Sequence, residues 1–372
     1  MLTEARVPLP RHLTASLVVL MLALNLSGCG VGYVLQAARG QWQVVRQRRP
    51  IDQVIADPAT SAPVRGQLQT AREARDFASR ELGLPDNRSY RTYAALGRDY
   101  VVWNVVAAPE FSIEPLQWCF PVAGCVAYRG YFRERAARKY AAKLAARGND
   151  VLVAGVEAYS TLGRFSDPIL DTMLGDDELD LAGTIFHELA HQLIYVKGDS
   201  DFNEAFAMSV EQEGVARWLA AHGRTAELAG YTERRVAQDQ IVSRLAAGRD
   251  QLAALYAQAL PAPEMRERKQ ALIGQLVDSI HSYEKATGLR SGYDTWIDQG
   301  LNNAHLASVA TYFDCVPAFE HILAAQHGDL TLFYARVREL ARGPAAARQV
   351  LCRQVGPASA MTAPAGNSPG AP

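Results

Sequence analysis

Two histidines and one glutamate form the cluster in this sequence that could carry chemistry. His187 and His191 are four positions apart in TIFHELAHQL, a segment with no charged residue other than Glu188. On an α-helix, residues at this spacing share one face, so both imidazoles could bind one Zn²⁺ ion. Glu188 is turned by about 100° around the helix and could take a proton from water without binding the metal. The segment predicts one catalytic zinc per chain, with Glu188 as the general base.

The alternative to a metal site is a surface helix that carries two histidines by chance. The residues around the motif help to distinguish these two interpretations. Apolar residues such as Ile185, Phe186 and Leu189 cover most sides of the predicted helix. A helix that is apolar almost all round is a buried one. Buried imidazole and carboxylate groups need polar partners, and a metal ion supplies them. The pattern therefore favours the metal site.

A third zinc ligand is expected from the next helix. The first helix stops at Gly198 and a second begins at once, so the two should lie antiparallel. At a rise of 1.5 Å per residue, Glu204 and Glu211 lie about 6 and 16 Å above the turn, whereas His191 and His187 lie about 9 and 15 Å above it. The two glutamates are seven positions apart and share a face. This geometry therefore does not decide which of the two glutamates is the third zinc ligand.

The order of the motifs resembles that of the gluzincin metallopeptidases. HELAHQ at 187–192 is followed by NEAFA at 203–207, and the aminopeptidase branch of that clan carries HELAHQ and a later NEGFA. The resemblance implies that Glu204 is the third ligand and that Glu211 orients His187. The chain also resembles a family of predicted bacterial lipoprotein aminopeptidases, which shares these motifs and the stretch GCVAYRGYF at 124–132. A peptide is then the expected substrate.

Zinc-dependent peptide hydrolysis by an aminopeptidase is the favoured function, with two alternatives. A metalloendopeptidase would lack the acidic group and closed wall that hold the N-terminal amine of a substrate. A non-catalytic zinc scaffold for envelope assembly would keep the ligands but would not need Glu188. An oxyanion donor is also expected, and Tyr312 and Tyr159 are the candidates, with a packing role as the alternative for each. By analogy with the clan, residues 156–165 around Tyr159 could bind the substrate as an edge strand.

The N-terminus predicts export and lipid anchoring. Basic residues precede an apolar run at 13–26, and LSGC at 26–29 resembles the lipobox of bacterial lipoproteins. The expected product starts at a lipidated Cys29 and faces the periplasm from the cell envelope. Gly30 is not acidic, which favours the outer over the inner membrane. An ordinary cleaved signal or an uncleaved anchor is the alternative.

The other cysteines fit an oxidising compartment. Without Cys29, an even number remains, namely Cys119, Cys125, Cys315 and Cys352. Cys119 and Cys125 bracket the short loop FPVAG, which favours a disulfide between them, and the bridge from Cys315 to Cys352 follows by elimination. Buried, reduced thiols are the alternative.

The remaining sequence predicts an α+β fold. Strand-like runs occur at 100–106 and 151–154, whereas the chain from residue 179 onward has mostly helical periodicity. The predicted parts are a signal peptide at 1–28, a mixed α/β part at 29–150, a mainly helical zinc peptidase part at 151–355, and a disordered tail at 356–372. The two middle parts could form one zincin-like domain. With 38 basic and 39 acidic residues, the overall charge does not point to nucleic acid as a partner.

Overall fold

The computed structural model describes residues 31–120, 124–158, 160–163, 165–175, 177–288, 293, 296–297, 300–313 and 315–354. They divide into two compact units, one ending at Arg46 and the other starting at Gln47. The first contains helix α1, Val31–Arg46. No described helix has both the length and the apolar character that crossing a membrane requires.

The strands of the second unit belong to three small sheets. Their bounds are Arg49–Pro50 (β1), Thr92–Ala94 (β2), Val102–Pro109 (β3), Trp118–Phe120 (β4), Gly124–Val126 (β5), Arg129–Tyr131 (β6), Asn149–Val156 (β7) and Ile169–Leu170 (β8). The strand orders are β1-β2-β8, β6-β3-β7 and β4-β5. The longest pairing is antiparallel, between β3 and β7, and runs from Val102 opposite Val156 to Pro109 opposite Asn149. Both strands are rich in valine and alanine, and residues 105–108 of β3 are buried.

The helices dominate the second half. Their bounds are Ile51–Ala56 (α2), Ala62–Arg80 (α3), Glu134–Ala145 (α4), Glu178–Leu193 (α5), Ser200–Ala221 (α6), Thr225–Tyr256 (α7), Ala262–Thr287 (α8), Asn303–Phe313 (α9), Val316–Ala325 (α10), Leu330–Arg342 (α11) and Ala345–Gln354 (α12). In the described residues every strand precedes residue 171, and the segments from α5 onward are helical. The prediction of an α+β fold with a mainly helical C-terminal half is confirmed.

An aromatic cluster packs the helix that carries the histidine motif against its neighbours. Phe186 of α5 lies 6.0 Å from Phe77 of α3 and 6.4 Å from Trp218 of α6, measured between ring centroids. Phe77 and Trp218 meet edge to face at 5.2 Å. All three rings are buried, so their packing resists rotation of α5 about its axis.

A buried arginine holds the loop that braces the same helix. The guanidinium of Arg75, on α3, is fully buried and donates to the carbonyl oxygens of Ser89, Pro85 and Asn87 at 2.8, 2.8 and 3.0 Å. The Asn87 side chain in turn donates to Oε1 of Gln192, on α5, at 2.7 Å. A buried charge is tolerated when its donors are satisfied. Arg75 therefore links the position of α5 to that of α3.

A second polar network joins the helical half to the sheet. The buried Lys269 of α8 lies 2.6 Å from Oδ2 of Asp150, on β7, and also donates to the carbonyl of Glu110 at 2.9 Å. The backbone N–H of Asn303, at the start of α9, donates to the same Asp150 oxygen at 3.0 Å. The carboxylate of Asp150 therefore connects β7 to both α8 and α9.

Two disulfides are present among the residues that the structure describes. Cys119 and Cys125 join β4 to β5, where they are direct cross-strand partners. The disulfide between Cys315, the residue before α10, and Cys352, in α12, holds these two helices together. The second bridge closes a loop of 37 residues, and a crosslink of this span lowers the conformational entropy of the unfolded chain.

Candidate metal centre

The centre is built on an antiparallel pair of helices, α5 and α6, joined by a tight turn. The carboxylate of Asp199 accepts from the backbone N–H of Phe202 and caps the start of α6, and Gly198 takes the positive φ of +79° that the turn requires. The buried Asn203 holds the turn from the inside, because its side chain both accepts from and donates to the backbone of Val196, at 2.7 and 2.8 Å. These contacts fix the register of the two helices.

Three ligand atoms from this pair meet at one point. The Nε2 atoms of His187 and His191 are 3.1 Å apart, and Oε2 of Glu204 lies 3.3 and 3.5 Å from them. A tetrahedral zinc ion with bonds of 2.0–2.1 Å would place its ligand atoms about 3.3 Å from one another. The three side chains therefore fit a zinc ion in both spacing and chemistry.

The electrostatic surroundings of these groups also fit a cation. Burial acts to raise the pKa of Glu204, but the imidazoles of His191 and His187 hold it well below the usual value. Burial acts to lower the pKa of His187, but hydrogen bonds with Glu204 and Glu211 hold it well above the usual value. The carboxylates that favour a proton on His187 would also stabilise a divalent cation in its place. Zinc binding would displace that proton, because a ligand imidazole must be neutral.

The structure distinguishes the two glutamates that the sequence geometry left in contention. Glu204 lies with the two histidines, and the ligand atoms of these three residues are within 4.8 Å of one another. Oε2 of Glu211 lies 2.9 Å from the other ring nitrogen, Nδ1 of His187. An Nδ1–H group that donates to this carboxylate leaves the Nε2 lone pair of His187 directed at the ligand cluster.

Glu188 lies beside the ligands in a buried position. Burial raises the pKa of its carboxyl group, while the imidazoles of His191 and His187 act in the opposite direction. Its Oε2 atom is buried and has no hydrogen-bond partner among the described residues. A carboxylate in this environment can accept a proton readily, which is the property a general base needs.

Sequence reasoning missed several residues that position this centre. Asn203 belongs to the NEAFA motif and fixes the turn, and Gln192 follows His191 directly and accepts from Asn87. Gly183 is the third, because a Cβ atom there would lie 3.2 Å from Cγ and 3.3 Å from Oε1 of Glu211. For Gly183, the sequence signal that could have revealed this role is its position four residues before His187, on the same face of α5.

Replacing Gly183 by alanine should therefore disturb the hydrogen bond between Glu211 and His187. We expect the zinc affinity to fall about tenfold, the lower end of the usual effect of losing such a partner, with folding preserved because alanine favours helices. Zinc affinity is measured by competition with a chromogenic chelator. The control is Gly274→Ala on α8, a helical site with nothing within 4 Å of the added Cβ. Equal affinity in both variants would contradict the role of Gly183.

Other predicted site residues fall outside the described part of the chain. Cys29 and Tyr159 are in this group, and so is the side chain of Tyr312. Their suggested roles in lipidation, substrate binding and oxyanion stabilisation stay predictions.

The chain was compared with protein families, curated proteins and solved structures. Neither a curated protein nor a solved structure matches the chain significantly. A family model described as "Putative aminopeptidase" matches residues 32–351, which includes both helices of the metal centre. This match supports peptide hydrolysis in general and confirms the aminopeptidase part of the resemblance seen in the sequence. Because it covers most of the 372 residues, the chain belongs to the family described as "Putative aminopeptidase".

Proposed function

We propose that the chain is a zinc-dependent aminopeptidase of the bacterial cell envelope. One observation carries the proposal: two imidazoles and a carboxylate converge within 4.8 Å, next to a buried glutamate with a raised pKa. The match to an aminopeptidase family supports a peptide as the substrate. The HELAHQ and NEAFA motifs support the gluzincin type.

The residues of the centre divide the chemistry among them. His187, His191 and Glu204 would hold the zinc, and Glu211 would keep the His187 ring in the orientation that binding needs. When bound, zinc supplies Lewis-acid chemistry, which polarises a peptide carbonyl and makes water more acidic. Glu188 would take the proton from the attacking water and pass it to the nitrogen of the leaving amine.

The number of ligands favours catalysis over a zinc scaffold. A structural zinc site usually has four protein ligands, whereas a catalytic site has three and keeps one position open. The metal-ligand cluster among the described residues consists of three. A scaffold also has no use for Glu188, whose burial without a hydrogen-bond partner for Oε2 costs free energy. A role for Glu188 in proton transfer would account for this unfavourable burial.

A peptide library tests the proposed activity. Mature protein is incubated with a mixed library in which half of the peptides carry an N-terminal acetyl group, and the products are identified by mass spectrometry. An aminopeptidase removes residues from the free amino end and spares the acetylated peptides, and a zinc chelator stops the reaction. Internal cleavage of both sets would favour the metalloendopeptidase, and a lack of cleavage would favour the scaffold.

The location in the envelope rests on the sequence motif at Cys29. We expect the full-length chain, expressed in a Gram-negative bacterium, to incorporate radiolabelled palmitate and Cys29→Ser to incorporate none. Fractionation of the labelled wild type on a sucrose gradient then tests the preference for the outer membrane. Unchanged labelling of Cys29→Ser would contradict the lipid anchor.

A further inference from the structure

Helix α1 carries an exposed apolar face. Val34, Leu35 and Trp42 are 61%, 52% and 61% exposed, among the largest exposures of big apolar side chains in the described chain. Single exposed apolar residues are common on protein surfaces and need no explanation. These three are within nine consecutive positions, and Ala38 between them is exposed as well.

The exposed residues share one side of the helix. At about 100° per residue, Val34, Ala38, Trp42 and Leu35 fall within an arc of about 100°. The exposed basic residues of the helix, Arg39 and Arg46, lie about 40° and 20° beyond one edge of this arc. An apolar stripe with a tryptophan, bordered by arginines, is typical of helices that lie in the plane of a membrane surface.

We propose that this face of α1 lies in the headgroup region of a lipid bilayer that contains anionic phospholipid. The arginines match the charge of the lipid phosphates, and tryptophan favours the interface between acyl chains and water. The position in the chain agrees, because α1 begins two residues after Cys29. The proposal rests on the proposed lipid anchor, which would hold the helix at the membrane surface.

A second attachment changes how the chain is held. A lipid on Cys29 alone would be a flexible tether, whereas an amphipathic helix that follows it directly would fix the first residues of the folded chain against the surface. Attachment by lipid and basic residues together is also stronger than attachment by lipid alone.

The test measures vesicle binding without the lipid. Mature protein from residue 29 with Cys29→Ser cannot be acylated, so any binding comes from the polypeptide. Its sedimentation with vesicles of phosphatidylcholine alone is compared with that on vesicles that also contain phosphatidylglycerol. We expect binding to the anionic vesicles that weakens at high salt. Arg39→Gln and Arg46→Gln should each lower it about fivefold.

A matched pair of substitutions separates this face from general surface effects. Leu35→Glu should lower binding to the anionic vesicles at least about tenfold. Leu332→Glu, in α11, alters a leucine of the same 52% exposure and should bind as the parent does.

Three outcomes would overturn the proposal. The first is that the parent and Leu35→Glu bind the anionic vesicles equally well. The second is that Leu332→Glu loses as much binding as Leu35→Glu. The third is that the parent forms dimers in solution and the Leu35→Glu substitution dissociates these dimers. The last would assign the face to a second copy of the chain. Because no variant in this series carries lipid, failure here is distinct from failure of Cys29 acylation.

Discussion

Replacement of Glu188 by glutamine should lower peptide hydrolysis at least about a hundredfold while the zinc content stays near one per chain. Glutamine keeps the volume of the side chain but cannot accept a proton from water, and a positioned acid–base group usually contributes about a factor of a hundred or more. Its neutral amide also suits the buried site, where burial already raises the pKa of the carboxyl group. Initial rates on a peptide from the library and metal analysis of the same samples give both quantities.

The matched control for this variant is on the same helix. Glu178, in the first turn of α5, forms an exposed ion pair with Arg224 at 2.5 Å. Pairs of this kind contribute at most about 1 kcal/mol to stability, so Glu178→Gln should keep both activity and zinc. Full activity in Glu188→Gln would reject the general-base role. A large loss of zinc in that variant would show that Glu188 contributes to the metal site.

Replacement of Glu204 by alanine should remove most of the bound zinc and, with it, the activity. This change deletes one of the three proposed ligands and leaves two imidazoles, whose Nε2 atoms are 3.1 Å apart, without the carboxylate that would balance the charge of the cation. Glu211→Ala should lose less zinc, because it removes only the hydrogen-bond partner of His187 Nδ1. Loss of such a partner usually lowers metal affinity about ten- to a hundredfold. Metal content after dialysis and chelator competition measure both effects.

Glu213 provides the control for these two variants. It is on α6 as well, but pairs with Arg217 at 2.7 Å, so Glu213→Ala should bind zinc as the wild type does. If Glu204→Ala kept its zinc while Glu211→Ala lost it, the roles assigned to the two glutamates would be reversed. The antiparallel arrangement of α5 and α6 would be unaffected, since it depends on the turn at Gly198 and Asn203.

The sequence alone determined the features that come from spacing within one element. The helical repeat puts His187 and His191 on one face, and apolar neighbours indicate that this face is buried. The strand-like runs at 100–106 and 151–154 and the helical periodicity from residue 179 onward were enough for the α+β class. All of these are local properties, because side-chain direction along one helix or strand follows from backbone geometry.

Helical geometry alone did not decide which side chains from different elements meet. The tertiary structure places Glu204 with the two histidines and Glu211 against Nδ1 of His187, in the arrangement that the resemblance to the gluzincins implies. Height above the turn could not show whether Glu204 or Glu211 lies with the two histidines. That also depends on how far each helix is rotated about its own axis. That rotation is set by distant contacts, including the ring cluster of Phe77 and Phe186 and the loop held by Arg75. Such contacts join residues far apart in the chain, and no periodicity within a single segment records them.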